Sequence, residues 1–165
     1  MNRDASIGDS RGWAVMVLLA VAFGVSVASA ADWSRYTPQA VGDLLRGLPR
    51  TTGLAITPEI PIRSRVRYSG DFRPLADDSR RIISAWTKSM NVPAAADAFR
   101  QEVRIQEPGG DYWVPVQETL VPAMRGELRA GDHIEVFLIF VGHVDGRPML
   151  LVNAFNHADP DPAHR

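Results

Sequence analysis

Apolar and polar residues follow three different rhythms along this chain, and the rhythms divide it into elements. Helical spacing comes first. In "TPQAVGDLLRGLP", Val41, Leu44, Leu45 and Leu48 share one helical face, with Thr37 placed as N-cap, Pro38 at the first helical position and Pro49 as terminator. In "DSRRIISAWTKSM", Ile82, Ile83, Trp86 and Met90 form a stripe behind Asp77 or Asp78 as the capping residue, which predicts the best-formed helix of the chain. A further helix is expected over "ETLVPAMRGEL", where Leu120, Met124 and Leu128 recur every four residues near Pro122.

The second rhythm is strict alternation. "RSRVRYSGDF" sets Ser64, Val66 and Tyr68 on one side and Arg63, Arg65 and Arg67 on the other, a strand that carries an arginine stripe. "FRQEVRIQE" sets Phe99, Val103 and Ile105 against Arg100, Glu102, Arg104 and Gln106, after a helical turn at "AAADAF". "PGGD" then turns the chain into "YWVPVQ", a partner strand in which Pro115 implies an edge or a bulge. The preceding stretch "RTTGLAITPEIPIRS" holds Pro58 and Pro61 and reads as an extended arm lying on the surface rather than a central strand.

The third rhythm is continuous. "HIEVFLIFVGHVDGRPMLLVNAF" has apolar runs on both sides of Asp145-Gly146, a pair suited to a type I′ turn. A turn there pairs Val144 with Arg147 and predicts Phe140 opposite Leu151, Leu138 opposite Asn153 and Val136 opposite Phe155. Both faces of this hairpin are apolar, so it is expected at the centre of the sheet, covered on two sides. Asn153 stands alone on its face, and an amide there needs partners, which makes it a candidate buried polar clamp.

The order helix, arm, strand, helix, hairpin, helix, hairpin predicts an α+β protein with a mostly antiparallel, strongly curved sheet or small β-barrel, covered by two to three short helices. The expected organisation is a secretory signal peptide at 1–30, an N-terminal helix and extended arm at 31–62, a core domain at 63–157 and a disordered tail at 158–165. The signal reading rests on the uncharged "GWAVMVLLAVAFGVSVASA", which follows a polar start and ends in Ala28-Ser29-Ala30, a small-x-small site for cleavage after Ala30. It implies a periplasmic or secreted protein. The alternative is an uncleaved anchor at 12–31, since about twenty apolar residues can span a bilayer.

Composition narrows the chemistry. The 165 residues are 45% hydrophobic and 22% charged, as in an ordinary folded protein of one domain. A net charge of -1 gives no general attraction to nucleic acid, and none is expected as a partner. There is no cysteine, hence no disulfide, thiol nucleophile or thiolate metal site. No phosphate loop or nucleophile elbow is present, and no cofactor or metal is assigned.

Charge is unevenly spread, with ten basic and six acidic residues over 31–90 against six and eleven over 91–165. Arg63, Arg65 and Arg67, with Trp113 as an aromatic neighbour, are the candidate residues for binding an anion or partner, because alternate strand positions hold guanidinium groups on one face. The expected function is a non-catalytic binding or assembly module of the envelope, its partner an envelope protein or an anionic polymer. Two other readings compete with it. The arginines are explained more simply as the solvent face of an edge strand, paired with Asp71, Asp77 and Asp78. A small hydrolase or metal-dependent enzyme would instead draw on Asp132, His133, Glu135 and His157.

Overall fold

The computed structural model describes residues 33–49 and 51–158. The predicted signal segment, the alternative anchor and residues 159–165 of the tail lie outside them. Among the described residues no helix is long and apolar enough to cross a membrane.

In chain order the elements are β1 (Thr37–Pro38), α1 (Val41–Gly47), β2 (Leu54–Pro74), α2 (Asp77–Ser89), β3 (Phe99–Glu107), β4 (Gly110–Gln117), α3 (Val121–Glu127), β5 (His133–Val144) and β6 (Arg147–His157). Short 3-10 turns cover Trp33–Arg35 and Pro93–Ala98. The protein is α+β, and its six-stranded sheet curves in the order β1-β2-β3-β4-β6-β5 until β5 pairs with β2 as well. Five strands therefore close into a ring, antiparallel at every contact but the single parallel bridge from Val116 to Val152. The two-residue β1 runs parallel to β2.

Alternation along the strands gives two cores. The inner one collects Ile62, Val66, Val103, Val114, Val136, Leu138, Val152 and Phe155 from all five ring strands, with Leu44 of α1 and Met124 of α3 packed among them. The outer one lies where α2 applies Ile82, Ile83 and Trp86 to Phe137, Ile139, Val141 and Leu151 of the final hairpin. Tyr36 and Trp33 join it, their rings 5.3 Å and 4.5 Å from that of Phe137. The hairpin is thus covered on both faces, which is why every residue of β5 from Val136 to Val144 is buried.

Its turn is as read from Asp145-Gly146. Both residues have positive φ, 48° and 78°, and Val144 pairs with Arg147. The interior register differs from expectation. Shifts between Phe140 and Gly142 and between Phe137 and Leu138 place Phe140 opposite Leu150 and Leu138 opposite Val152, before Val136 meets Phe155 again. Because each one-residue slip exchanges faces, Leu150 and Val152 point into the ring while Met149 and Leu151 point out to α2. Asn153 is left as the extra residue of the second bulge.

Long-range pairing overrides several local signals. The predicted arm is part of the sheet: Leu54 to Arg67 pair with β5 along one continuous strand, so residues 54–62 and the arginine stripe belong to the same element, although Leu54 and Ile60 stay exposed. Pro58 falls within the register shift between Ile56 and Ile60, where the regular ladder is interrupted. Thr37 does not cap α1; it lies in β1, and the helix begins after Ala40. Asp77 and Asp78 occupy the first turn of α2 after Ala76 and make no cap bond. In β3 a bulge between Phe99 and Gln101 sends Phe99 to the outer core, away from Val103 and Ile105.

Candidate functional site

The arginine stripe is held rigidly. Arg65 and Arg67 lie opposite Glu135 and His133 of β5, Arg63 lies opposite Phe137, and on the other edge Pro38 meets Arg63 and Gln106 meets Arg67. An edge strand was one explanation for these residues; β2 is in fact paired with β5 along the whole stripe, and its other edge is met by β1 at Arg63 and by β3 at Arg67, with no strand pairing there at Arg65 among the described residues. Ile62, Val66 and Tyr68 anchor the strand from inside the ring, which leaves the intervening arginines on its outer surface.

The stripe borders a shallow groove of about 720 Å³ lined by Pro38, Gln39, Asp43, Arg63, Arg65 and Glu135 among others. Its acids are already engaged: Asp43 accepts from Arg46, and Glu135 lies 3.9 Å from Arg63. Asp71, Asp77 and Asp78 pair with Arg104, Arg80, Arg81 and Arg147 instead of with the stripe. Arg65 and Arg67 are exposed, and among the described residues neither has an acidic partner within 4.0 Å. The groove's second wall, the start of α1, is fixed from β3, where the Glu107 carboxylate accepts from the backbone N–H groups of Val41 and Gly42 at 2.8 Å and 3.1 Å and from the Ser64 hydroxyl at 2.6 Å.

Trp113 is not part of this groove. It lies on β4, with the guanidinium carbons of Arg73 and Arg104 at 4.4 Å and 5.9 Å from its ring. Arg73 also donates through Nε to Glu102 at 2.5 Å, and Ser79 of α2 donates to the other oxygen of the same carboxylate. Glu102 is 1% exposed. Sequence alternation placed it among solvent-facing positions and carried no sign of burial, because the covering residues come from α2, β2 and β4.

Asn153 ties three distant segments together. Its Oδ1 accepts from Gln117 Nε2 at 3.1 Å, and its Nδ2 donates to the Tyr36 hydroxyl at 2.7 Å. Both halves of the amide are satisfied within the protein, and this fixes the bulge in β6.

The residues of the enzymatic alternative do not converge. Asp132 caps its own turn by accepting from Arg129 N at 2.7 Å, and Glu135 faces Arg63. Among the described residues no three of His, Asp or Glu are grouped as metal ligands. Burial raises the Tyr68 and Tyr112 hydroxyls above the ordinary phenol range, so neither offers a base at neutral pH.

His143 is 3% exposed, its Nδ1 has no hydrogen-bond partner, and its ring stands edge-on to Phe140 at 5.1 Å. Burial lowers its pKa below the ordinary histidine value. The unfolded chain therefore binds more protons below about pH 6.5, and stability falls from there down to the folded pKa before levelling off. Urea unfolding at pH 7.5 and pH 5 is expected to show this loss, and His143→Leu is expected to shrink it; an unchanged pH dependence in the variant would assign the loss to other groups.

The fold and its surface define a small α+β ring protein with an arginine stripe on the outer face of β2. No protein-family model, curated protein or solved structure matches the chain.

Proposed function

We propose that this chain is an exported, non-catalytic binding module of the cell envelope that holds an anionic partner, a polymer or an acidic protein segment, on the Arg63, Arg65 and Arg67 face. The observation that supports it best is that Arg65 and Arg67 are exposed and, among the described residues, neither has a carboxylate within 4.0 Å, on a strand held along its length by β5. A guanidinium with no internal partner keeps its donors for carboxylate or phosphate, and two of them on one strand face provide two-point capture. Export rests on the Ala28-Ser29-Ala30 site and the uncharged run before it.

The test is retention of the purified chain on immobilised poly-glutamate and on polyphosphate, eluted with salt. Arg65→Glu with Arg67→Glu is expected to weaken retention by about ten-fold or more, through loss of attraction and new repulsion. Arg81→Glu, whose charge is already matched by Asp78 and Asp145, is expected to change it little. Equal retention of all three proteins would remove the proposal.

A further inference from the structure

A second concavity of about 400 Å³ opens between α2, the Pro93–Ala98 turn and the start of β3. That size falls within the range of about 300–1,000 Å³ common among small-molecule sites. Its floor is apolar, made by Leu75, Ile83 and Phe99, all buried. Ser84, Asp97 and Arg100 stand around it, and the last two are exposed.

The charges at this mouth differ in availability. Arg80 also borders it but is committed, donating to Asp77 at 2.9 Å and to the Leu75 carbonyl at 3.1 Å. Asp97 and Arg100 are uncommitted: among the described residues neither forms an ion pair within 4.0 Å, even with the other. The backbone from Ala98 to Arg100 is nevertheless pinned. Leu75 N donates to the Arg100 carbonyl at 2.9 Å, and Glu118 N donates to the Ala98 carbonyl at 2.8 Å. A guanidinium and a carboxylate, neither ion-paired among the described residues, thus border one apolar floor.

Each group selects a chemistry. The guanidinium suits a carboxylate, the Asp97 carboxylate only accepts and so wants an N–H, and the floor wants an apolar side chain. We infer that this groove binds an α-carboxylate carrying an adjacent N–H and an apolar side chain, the chemistry shared by a free apolar amino acid and by a peptide carboxy terminus ending in one. The carboxylate meets Arg100, the nitrogen meets Asp97, and the side chain covers Leu75, Ile83 and Phe99. This site is separate from the arginine stripe and does not depend on what that stripe holds.

Calorimetric titration of the mature chain with phenylalanine, Gly-Gly-Phe, Gly-Gly-Phe amide and Gly-Gly-Gly tests it. At least one of the first two is expected to bind at about 1 mM or tighter. The amide and Gly-Gly-Gly are each expected to bind about ten-fold more weakly, and Arg100→Gln is expected to weaken the binding ligand by a similar factor. Tighter binding of phenylalanine, with a loss of about ten-fold in Asp97→Asn, identifies the free amino acid, whose nitrogen is charged. Tighter binding of Gly-Gly-Phe, with a loss of about three-fold, identifies the peptide terminus, whose nitrogen is a neutral amide. Both substituted residues are exposed, so near-ultraviolet circular dichroism should show an unchanged fold. Absence of binding by phenylalanine and Gly-Gly-Phe up to about 10 mM, an amide that binds as well as the acid, or full affinity in Arg100→Gln would each overturn the inference.

Discussion

Replacing Gly142 with alanine is expected to cost about 4 kcal/mol or more, enough to prevent accumulation of folded protein if the chain has ordinary domain stability. Gly142 has φ +142°, and a Cβ built there would lie 2.0 Å from the carbonyl oxygen of Ala55. The obstacle is backbone on the neighbouring strand, so no side chain can swing aside. It also sits where β2 and β5 change register, between Ile56 and Ile60 on one strand and beside the slip at Val141 on the other. Relief would require parting the two strands whose pairing closes the ring. Gly126→Ala is the matched control: it lies in α3 with nothing within 4 Å of the added atom, and it is expected to raise stability by about 0.5–1 kcal/mol. Soluble yield and urea unfolding of both variants check the pair. A Gly142→Ala protein with wild-type stability would mean that the approach of Ala55 to β5 is not as described.

The second large effect is expected at the Glu102 carboxylate. Arg73→Ala removes a charge-assisted hydrogen bond and leaves the carboxylate buried with, among the described residues, only the Ser79 hydroxyl as side-chain donor. Breaking a buried pair from one side is expected to cost about 3 kcal/mol, the lower end of the usual range because Arg73 is itself half exposed. Loss of the stacked guanidinium over Trp113 adds to this. Adding Glu102→Leu to Arg73→Ala is expected to recover most of the loss, since the stranded charge is then gone. Chemical unfolding of the two variants at neutral pH decides it. A cost below about 1 kcal/mol for Arg73→Ala, or no recovery in the double variant, would show that the carboxylate does not depend on Arg73.

Particular elements show which features were legible. The helices over Ile82 to Trp86 and around Met124 and the turn at Asp145-Gly146 are each announced by residues within one element or one turn of each other. The covered hairpin was legible as well, because both faces of β5 and β6 are apolar in the sequence itself. The arginine stripe was visible as a period of two, but not that its strand is paired on both edges. The burial of Glu102 and the placing of Asp97 and Arg100 around one concavity were not visible at all. Their environment is built by Ser79 and Arg73 in one case and by Leu75 and Ile83 in the other, all distant along the chain.

By itself, then, the sequence determined the secondary-structure periods, the central turn, the apolar character of the hairpin and the absence of thiol chemistry. Those are properties of neighbouring residues, and steric preference and hydrophobic spacing act at that range. Only the tertiary structure decided that Leu54 to Ile62 would join the sheet, that Asn153 would be extruded and bonded to Tyr36 and Gln117, and that β5 would close on β2. Each of those outcomes depends on a backbone edge or polar group that is satisfied by a partner far away in the chain, and no pattern among neighbouring residues specifies a partner at that distance.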